Sequence, residues 1–186
     1  MAAVGLLGVI AMTSAGCFLD SEPPPKPVSN WTVQDARGFN EFPLYWLGDG
    51  YEGLALTSIG LGTDGDGVNH ASFSYGEPSY FGDAASGSWQ SPLEIDVQPY
   101  CGYSPEEFLS YDPEITSVQV RGVNGYLERY DYDWDYLTLW SGTSAIHIGT
   151  HKTDFDIEQA ASDLIPIAED TGARLKPLPP PTMTSC

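Results

Sequence analysis

Val123–Ile167, VNGYLERYDYDWDYLTLWSGTSAIHIGTHKTDFDIEQAASDLIPI, is the stretch on which the fold turns. Within it Tyr136-Leu137-Thr138-Leu139-Trp140 alternates, with Leu137 and Leu139 on one face and Tyr136, Thr138 and Trp140 on the other. That period of two, carried by aromatic and β-branched residues, predicts a strand. Ser141-Gly142-Thr143-Ser144 is turn chemistry, because Gly142 takes positive φ at no steric cost. Ala145–Gly149 resumes the alternation with Ile146 and Ile148 inward and His147 outward, so the spacing predicts a hairpin. A helix is expected to start at Asp154 or Thr153, either of which can accept from an orphan backbone N–H. Asp156 and Glu158 then lie where the helix dipole favours negative charge. Ile157, Ala160, Ala161, Leu164 and Ile165 form its apolar stripe, and Pro166 ends it.

The segment Tyr130–Tyr136 alternates too, but as one strand it would put Asp131, Asp133 and Asp135 on the face of Leu137 and Leu139. Carboxylates without partners are costly in an apolar core. The register is therefore expected to break, leaving residues 131–135 as a protruding hairpin loop. Tyr130, Tyr132, Trp134 and Tyr136 make that loop a candidate recognition patch, since aromatic rings beside carboxylates suit sugar rings or cationic partners. The plainer alternative is a solvated acidic loop whose aromatics pack back on the sheet.

Upstream, Phe42–Leu47, Tyr51–Leu61, Ala71–Gly76, Pro92–Gln98 and Ile115–Arg121 read as strands. In Pro92–Gln98 the apolar Leu93, Ile95 and Val97 alternate with acids and an amide. Glu77–Gln90 reads as loop. Ser104-Pro105-Glu106-Glu107 opens a short helix, with Ser104 as N-cap and Glu107 completing a capping box. The fold class is thus α+β: an antiparallel β-sheet meander, a C-terminal amphipathic helix packed on one face, and a second short helix. A single domain is expected over 36–176, followed by a proline-rich tail at 177–186.

The full chain has 186 residues, with 7 Lys+Arg against 26 Asp+Glu and a net charge of −19. Such a surface repels phosphate backbones, which excludes nucleic acid as a partner, and it does not dock electrostatically on anionic lipid. It predicts solubility and attraction of cations.

Candidate chemistry is sparse. Asp64 and Asp66, in Thr63-Asp-Gly-Asp-Gly-Val-Asn-His70, resemble a fragment of a calcium loop, although Val68 stands where a third ligand belongs and Tyr75 where a bidentate Glu is needed. A turn rich in Asp and Gly is the default. His147 and His151, with Asp154, are candidate zinc ligands. No nucleophile elbow, phosphate loop or dinucleotide fingerprint is present. No catalytic residue is assigned, and apart from calcium no cofactor is expected.

The apolar run Val4–Met12 has signal-peptide length and is too short to span a bilayer. It ends in Thr13-Ser14-Ala15-Gly16-Cys17, which resembles the lipobox of bacterial lipoprotein precursors. The resemblance implies a signal peptide at 1–16, lipidation of Cys17 and anchoring to a membrane of the bacterial cell envelope. The other readings are a secretory leader cleaved near Ala15 and a short anchor helix. Residues 17–35 include the polar, proline-rich run Asp20–Asn30, expected to act as an extended linker. Cys101 and Cys186 would then be the two remaining thiols, open to a mutual disulfide, to intermolecular bridging or to staying free. The function expected is an extracytoplasmic binding or accessory domain without catalytic activity, its protein or glycan partner unspecified. The alternatives are a calcium-dependent cell-surface module, or a metal-dependent hydrolase using His147 and His151.

Overall fold

The computed structural model describes residues 31–63, 67–81, 87–101, 115–130, 134–151, 155–169 and 176–184. These residues form a mostly antiparallel β-structure with two short helices. The elements run α1 (Val33–Gly38), β1 (Tyr45–Trp46), β2 (Gly50–Tyr51), β3 (Leu54–Thr63), β4 (Asn69–Tyr75), β5 (Ser79–Phe81), β6 (Ser88–Gln90), β7 (Leu93–Pro99), β8 (Thr116–Val120), β9 (Val123–Tyr130), β10 (Trp134–Ser141), β11 (Ser144–Thr150), α2 (Ile157–Asp163) and β12 (Ile165–Pro166).

Eight strands make one sheet in the order β2-β3-β4-β7-β11-β10-β9-β8. This is not the simple meander expected from the sequence. The chain leaves β7 in the middle of the sheet and re-enters at the far edge as β8. It then returns by three successive pairings until β11 closes against β7. β7 has a neighbour on each side, β4 on one and, from the last strand of the C-terminal set, β11 on the other. Two of the tight turns are two-residue loops with both residues at positive φ, Glu52-Gly53 (46°, 85°) and Arg121-Gly122 (48°, 91°). That backbone matches the twist of the flanking strands.

One face of the sheet carries the core. Ile59, Phe73, Ile95, Val97, Leu127, Leu137, Leu139, Ile146 and Ile148 point to this side and are buried. A second layer covers them: Ala36 from α1, the segment Phe42–Leu47, Ile157, Ala160 and Ala161 from α2, then Leu164, Ile165, Ile167 and Leu178. The layer is tied down by polar contacts as well. The Leu47 N–H donates to the buried Tyr75 hydroxyl at 2.9 Å, and Ser144 Oγ donates to the Pro43 carbonyl at 2.7 Å.

Several sequence expectations are corrected here. Helix α2 is only seven residues long and is capped by Asp156, whose carboxylate accepts from Gln159 N at 3.0 Å, rather than by Thr153 or Asp154. Ile165 and Pro166 leave the helix to pair with Trp46 and Tyr45. A residue preceding proline disfavours helical backbone, so the helix ends before Ile165. The expected loop 77–90 contains the β5–β6 hairpin. The supposed linker residues Trp31–Asp35 belong to the folded body. Thr32 caps α1 in a capping box with Asp35, and Trp31 and Val33 pack on the core. The helix expected at Ser104 lies outside the described residues.

The proline-rich tail is docked rather than free. Leu178 is buried, and its N–H donates to the Arg121 carbonyl at 3.0 Å. Gly142 N–H donates to the Pro179 carbonyl and Thr182 N–H to the Gly142 carbonyl. Arg121 secures the arrangement. Its Nε donates to the Lys176 carbonyl at 2.8 Å, and its guanidinium also donates to the carbonyls of Leu164 and Ser162 at the end of α2. These bonds hold a non-glycine residue in left-handed backbone, which otherwise costs energy.

Candidate binding face

The other face of the sheet is where polar chemistry collects. Residues opposite one another on antiparallel strands share a face, so the register lays out rows across the sheet. One row runs Gly60–Ser72–Asp96–His147–Thr138–Tyr126–Ser117. A neighbouring row runs Ser58–Ser74–Glu94–Gly149–Tyr136–Glu128. The outward positions of β7, which the sequence fills with acids and an amide, therefore occupy the centre of the molecule's second face.

His147 is fixed in this layer. Its Nε2 lies 3.1 Å from Gln98 Nε2 and its Nδ1 3.0 Å from Thr138 Oγ1. An amide nitrogen only donates, so His147 Nε2 accepts and the ring proton sits on Nδ1, directed at the threonine hydroxyl. Burial lowers the His147 pKa, in keeping with this neutral form. Both ring nitrogens are thereby occupied. His151 lies on the same face, four residues along the chain, about 13 Å away at the usual strand rise. The structure does not bring the two together, and Asp154 lies outside the described residues. Among the described residues no group of three His, Cys, Asp or Glu side chains is placed to hold a metal. Asp64, Asp66 and Tyr132 also fall outside them, as do Cys17 and Cys186.

Among the described residues Asp96 is the most perturbed carboxyl. Burial pushes its pKa up to about 6, the charge of Glu94 adds to the rise, and His70 opposes it. A carboxyl whose folded pKa exceeds its unfolded value holds extra protons in the folded state, so stability falls as pH rises through that window. His151 works in the opposite sense: burial pulls it down to about 4. Its contribution is present above its unfolded pKa near 6.5 and is lost as pH falls towards 4. Asp96→Asn is expected to raise stability at pH 7.5 by about 2 kcal/mol and to leave it unchanged near pH 4. Urea denaturation at the two pH values checks this. An equal shift at both would mean that ionisation of Asp96 is not the cause.

Beyond Asp96 and Glu94 the face becomes aromatic. Trp134 packs edge-on against Tyr136 (4.8 Å, 63°), and Tyr136 meets Tyr130 almost perpendicularly (6.0 Å, 87°). His151 stacks on Phe81 at 4.1 Å and also touches Trp134. The loop expected at 131–135 is shorter than its sequence suggested, because Trp134 and Asp135 already pair with Tyr130 and Arg129 in the ladder. Asp135 does share the core side with Leu137, but at the sheet's end, where Arg129 forms an ion pair with it at 3.4 Å. Asp135 is itself partly exposed there, so it escapes the burial on which the expected register break rested; Asp131 and Asp133 lie outside the described residues. Of the expected recognition residues, the structure brings together Tyr130, Trp134 and Tyr136, and they stand on the sheet face rather than on a protruding loop.

At the opposite end of the same face Tyr100, Tyr126, Trp140 and Ala145 form a second, buried cluster. Cys101 beside it is disulfide-bonded, and its partner lies outside the described residues. Comparison with protein-family models, curated proteins and solved structures returns no match.

Proposed function

We propose that the chain is an extracytoplasmic binding or accessory domain, anchored to a bacterial envelope membrane through lipid on Cys17. Its contact surface is the Tyr136 end of the polar sheet face. The observation that carries the binding reading is the exposure of two tyrosines on this face, Tyr136 in the row between Glu94 and Glu128 and Tyr130 beside Glu128. Aromatic rings beside hydrogen-bonding groups are a frequent composition of recognition surfaces. The anchoring reading rests on Thr13-Ser14-Ala15-Gly16-Cys17 and the proline-rich spacer after it. In the α+β arrangement proposed, the short C-terminal helix α2 packs on the core side and leaves the opposite face to the ligand.

We further assign the partner of Cys101 as Cys186. Thr184, two residues before Cys186, donates from both N–H and Oγ1 to the carbonyl of Tyr100, the residue before Cys101. Fractionation tests the anchor. Cys17→Ala is expected to move the protein from the membrane pellet to the soluble fraction and to abolish incorporation of labelled palmitate. Unchanged partition would remove the lipid-anchor reading.

A further inference from the structure

We infer that the outer edge of β3, over Thr57–Thr63, pairs with the same edge of a second copy of this chain, joining two sheets about a two-fold axis at Gly60. This surface is separate from the aromatic face proposed above and does not depend on it. β2 covers β3 only at Leu54 and Ala55, and the Leu56 N–H donates to the Asp49 carbonyl. From Thr57 onward, no strand among the described residues lies on that side. An edge left in this way presents amides and carbonyls ready to pair. Natural sheets commonly blunt such edges with charged side chains. Here Leu54–Thr63 and Asn69–Tyr75, the strands β3 and β4, contain no Asp, Glu, Lys or Arg, in a chain with 26 acids and 7 bases. Two copies at a net charge of −19 each repel one another, and this neutral margin is where they can meet.

The order of residues selects the strand's own copy as the partner. Thr57-Ser-Ile-Gly-Leu-Gly-Thr63 reads nearly alike in both directions. Antiparallel pairing about Gly60 sets Thr57 opposite the partner's Thr63, Ser58 opposite the partner's Gly62 and Ile59 opposite the partner's Leu61. Each match is made twice, as an isologous interface requires. Leu61 ends the core-side row Val97–Ala71–Leu61 and is 40% exposed there, whereas Ile59 is buried. In the pair Leu61 packs against the partner's Ile59, and the apolar rows of the two sheets become one. The far edge, β8, offers no such match: pairing about Val118 would set Thr116 against the partner's Val120 and Ser117 against the partner's Gln119.

The glycines of this strand answer to the strand's own neighbour. A Cβ on Gly60 would stand 2.6 Å from Ser72 Oγ, and one on Gly62 2.5 Å from the His70 ring. Ser72 and His70 therefore lean over β3 and line the polar side of the seam. The register shift between Leu56 and Ser58 ends the regular ladder at one end, and Thr63 closes the strand at the other. So short a seam buries less than a standard interface, and association is weak and concentration-dependent. Asp49 lies at one end of it, and screening of the like charge on the two chains makes salt strengthen the pair.

The test takes the full chain in detergent, with micelles in excess over protein, from micromolar to the highest soluble concentration and at low and high sodium chloride. Sedimentation is expected to show a monomer–dimer equilibrium that salt shifts towards dimer. Amide exchange should slow with concentration across 57–63 and stay unchanged across 116–120. Leu61→Asp alters a side chain already exposed in the single chain, and it should lower the association constant roughly tenfold or more while leaving the circular dichroism spectrum unchanged. If that variant loses its sheet, exchange in the unaltered chain decides alone. A chain that stays monomeric at every concentration and salt level would overturn the inference. So would a dimer that leaves exchange across 57–63 unaltered, or one that persists in a folded Leu61→Asp.

Discussion

Replacing Phe73 with alanine is expected to cost about 3–5 kcal/mol of stability. Phe73 is fully buried at the centre of the core face, opposite Ile59 on β3 and Ile95 on β7. Above it the Trp46 ring lies 6.4 Å away, centroid to centroid. The residue therefore joins the sheet to its covering layer, and truncation removes apolar surface and leaves a cavity that neither side can close. Domains are stable by only about 5–15 kcal/mol, so the variant should unfold at markedly lower urea. Equilibrium denaturation followed by tryptophan fluorescence measures the change. A cost below about 1 kcal/mol would show that the two layers do not share the core described.

Loss of the disulfide at Cys101 is expected to have an effect of the same order. With Cys186 as partner the bridge closes a loop of about 85 residues, for which loop-closure entropy gives about 4–5 kcal/mol. Cys101→Ser should approach that cost, and mass spectrometry of unreduced protein should find Cys101 and Cys186 in one linked peptide. Reduction should not free the whole tail. Leu178 and the Arg121 bonds hold its first part independently, so exchange protection should fall mainly beyond Thr182. Two free thiols in the oxidised protein, or Cys101 bridged elsewhere, would refute the pairing.

Much of the sheet was legible because a period of two encodes which face a side chain takes. It correctly placed Leu93, Ile95, Val97, Leu137, Leu139, Ile146 and Ile148 on one side. It carries no information about which strands are neighbours, so the meander was the default and the central position of β7 was invisible. The candidate site suffered for the same reason. Glu94, Asp96 and Gln98 were read as facing outward, which they do, but only the strand order makes that outward face half-buried and sets it beside Tyr136. The α1 cap was visible in principle, since Thr32-x-x-Asp35 has capping-box spacing. It was absorbed into the linker because prolines dominate the residues before it. In the tail, composition spoke for an extended chain; Cys186 was singled out as a possible tie to Cys101, whereas Leu178, which docks, was not. Asp135 shows the opposite failure: the cost of a carboxylate on the core side was sound reasoning, but at the sheet's end Asp135 keeps contact with solvent and has Arg129 across the ladder.

The position of β7 has a consequence for how the chain assembles. Its partner on one side, β4, precedes it closely in the sequence; its partner on the other, β11, emerges from the ribosome some fifty residues later. Until then Leu93–Pro99 presents open amides and carbonyls along one side, with three large aliphatic residues beneath them. Such an unsealed border invites pairing with the wrong chain, and distant pairings are slow to form. Late closure of β11 should make the half-synthesised polypeptide the most aggregation-prone species in this protein's life, and a holding chaperone most useful just before Ser144 appears.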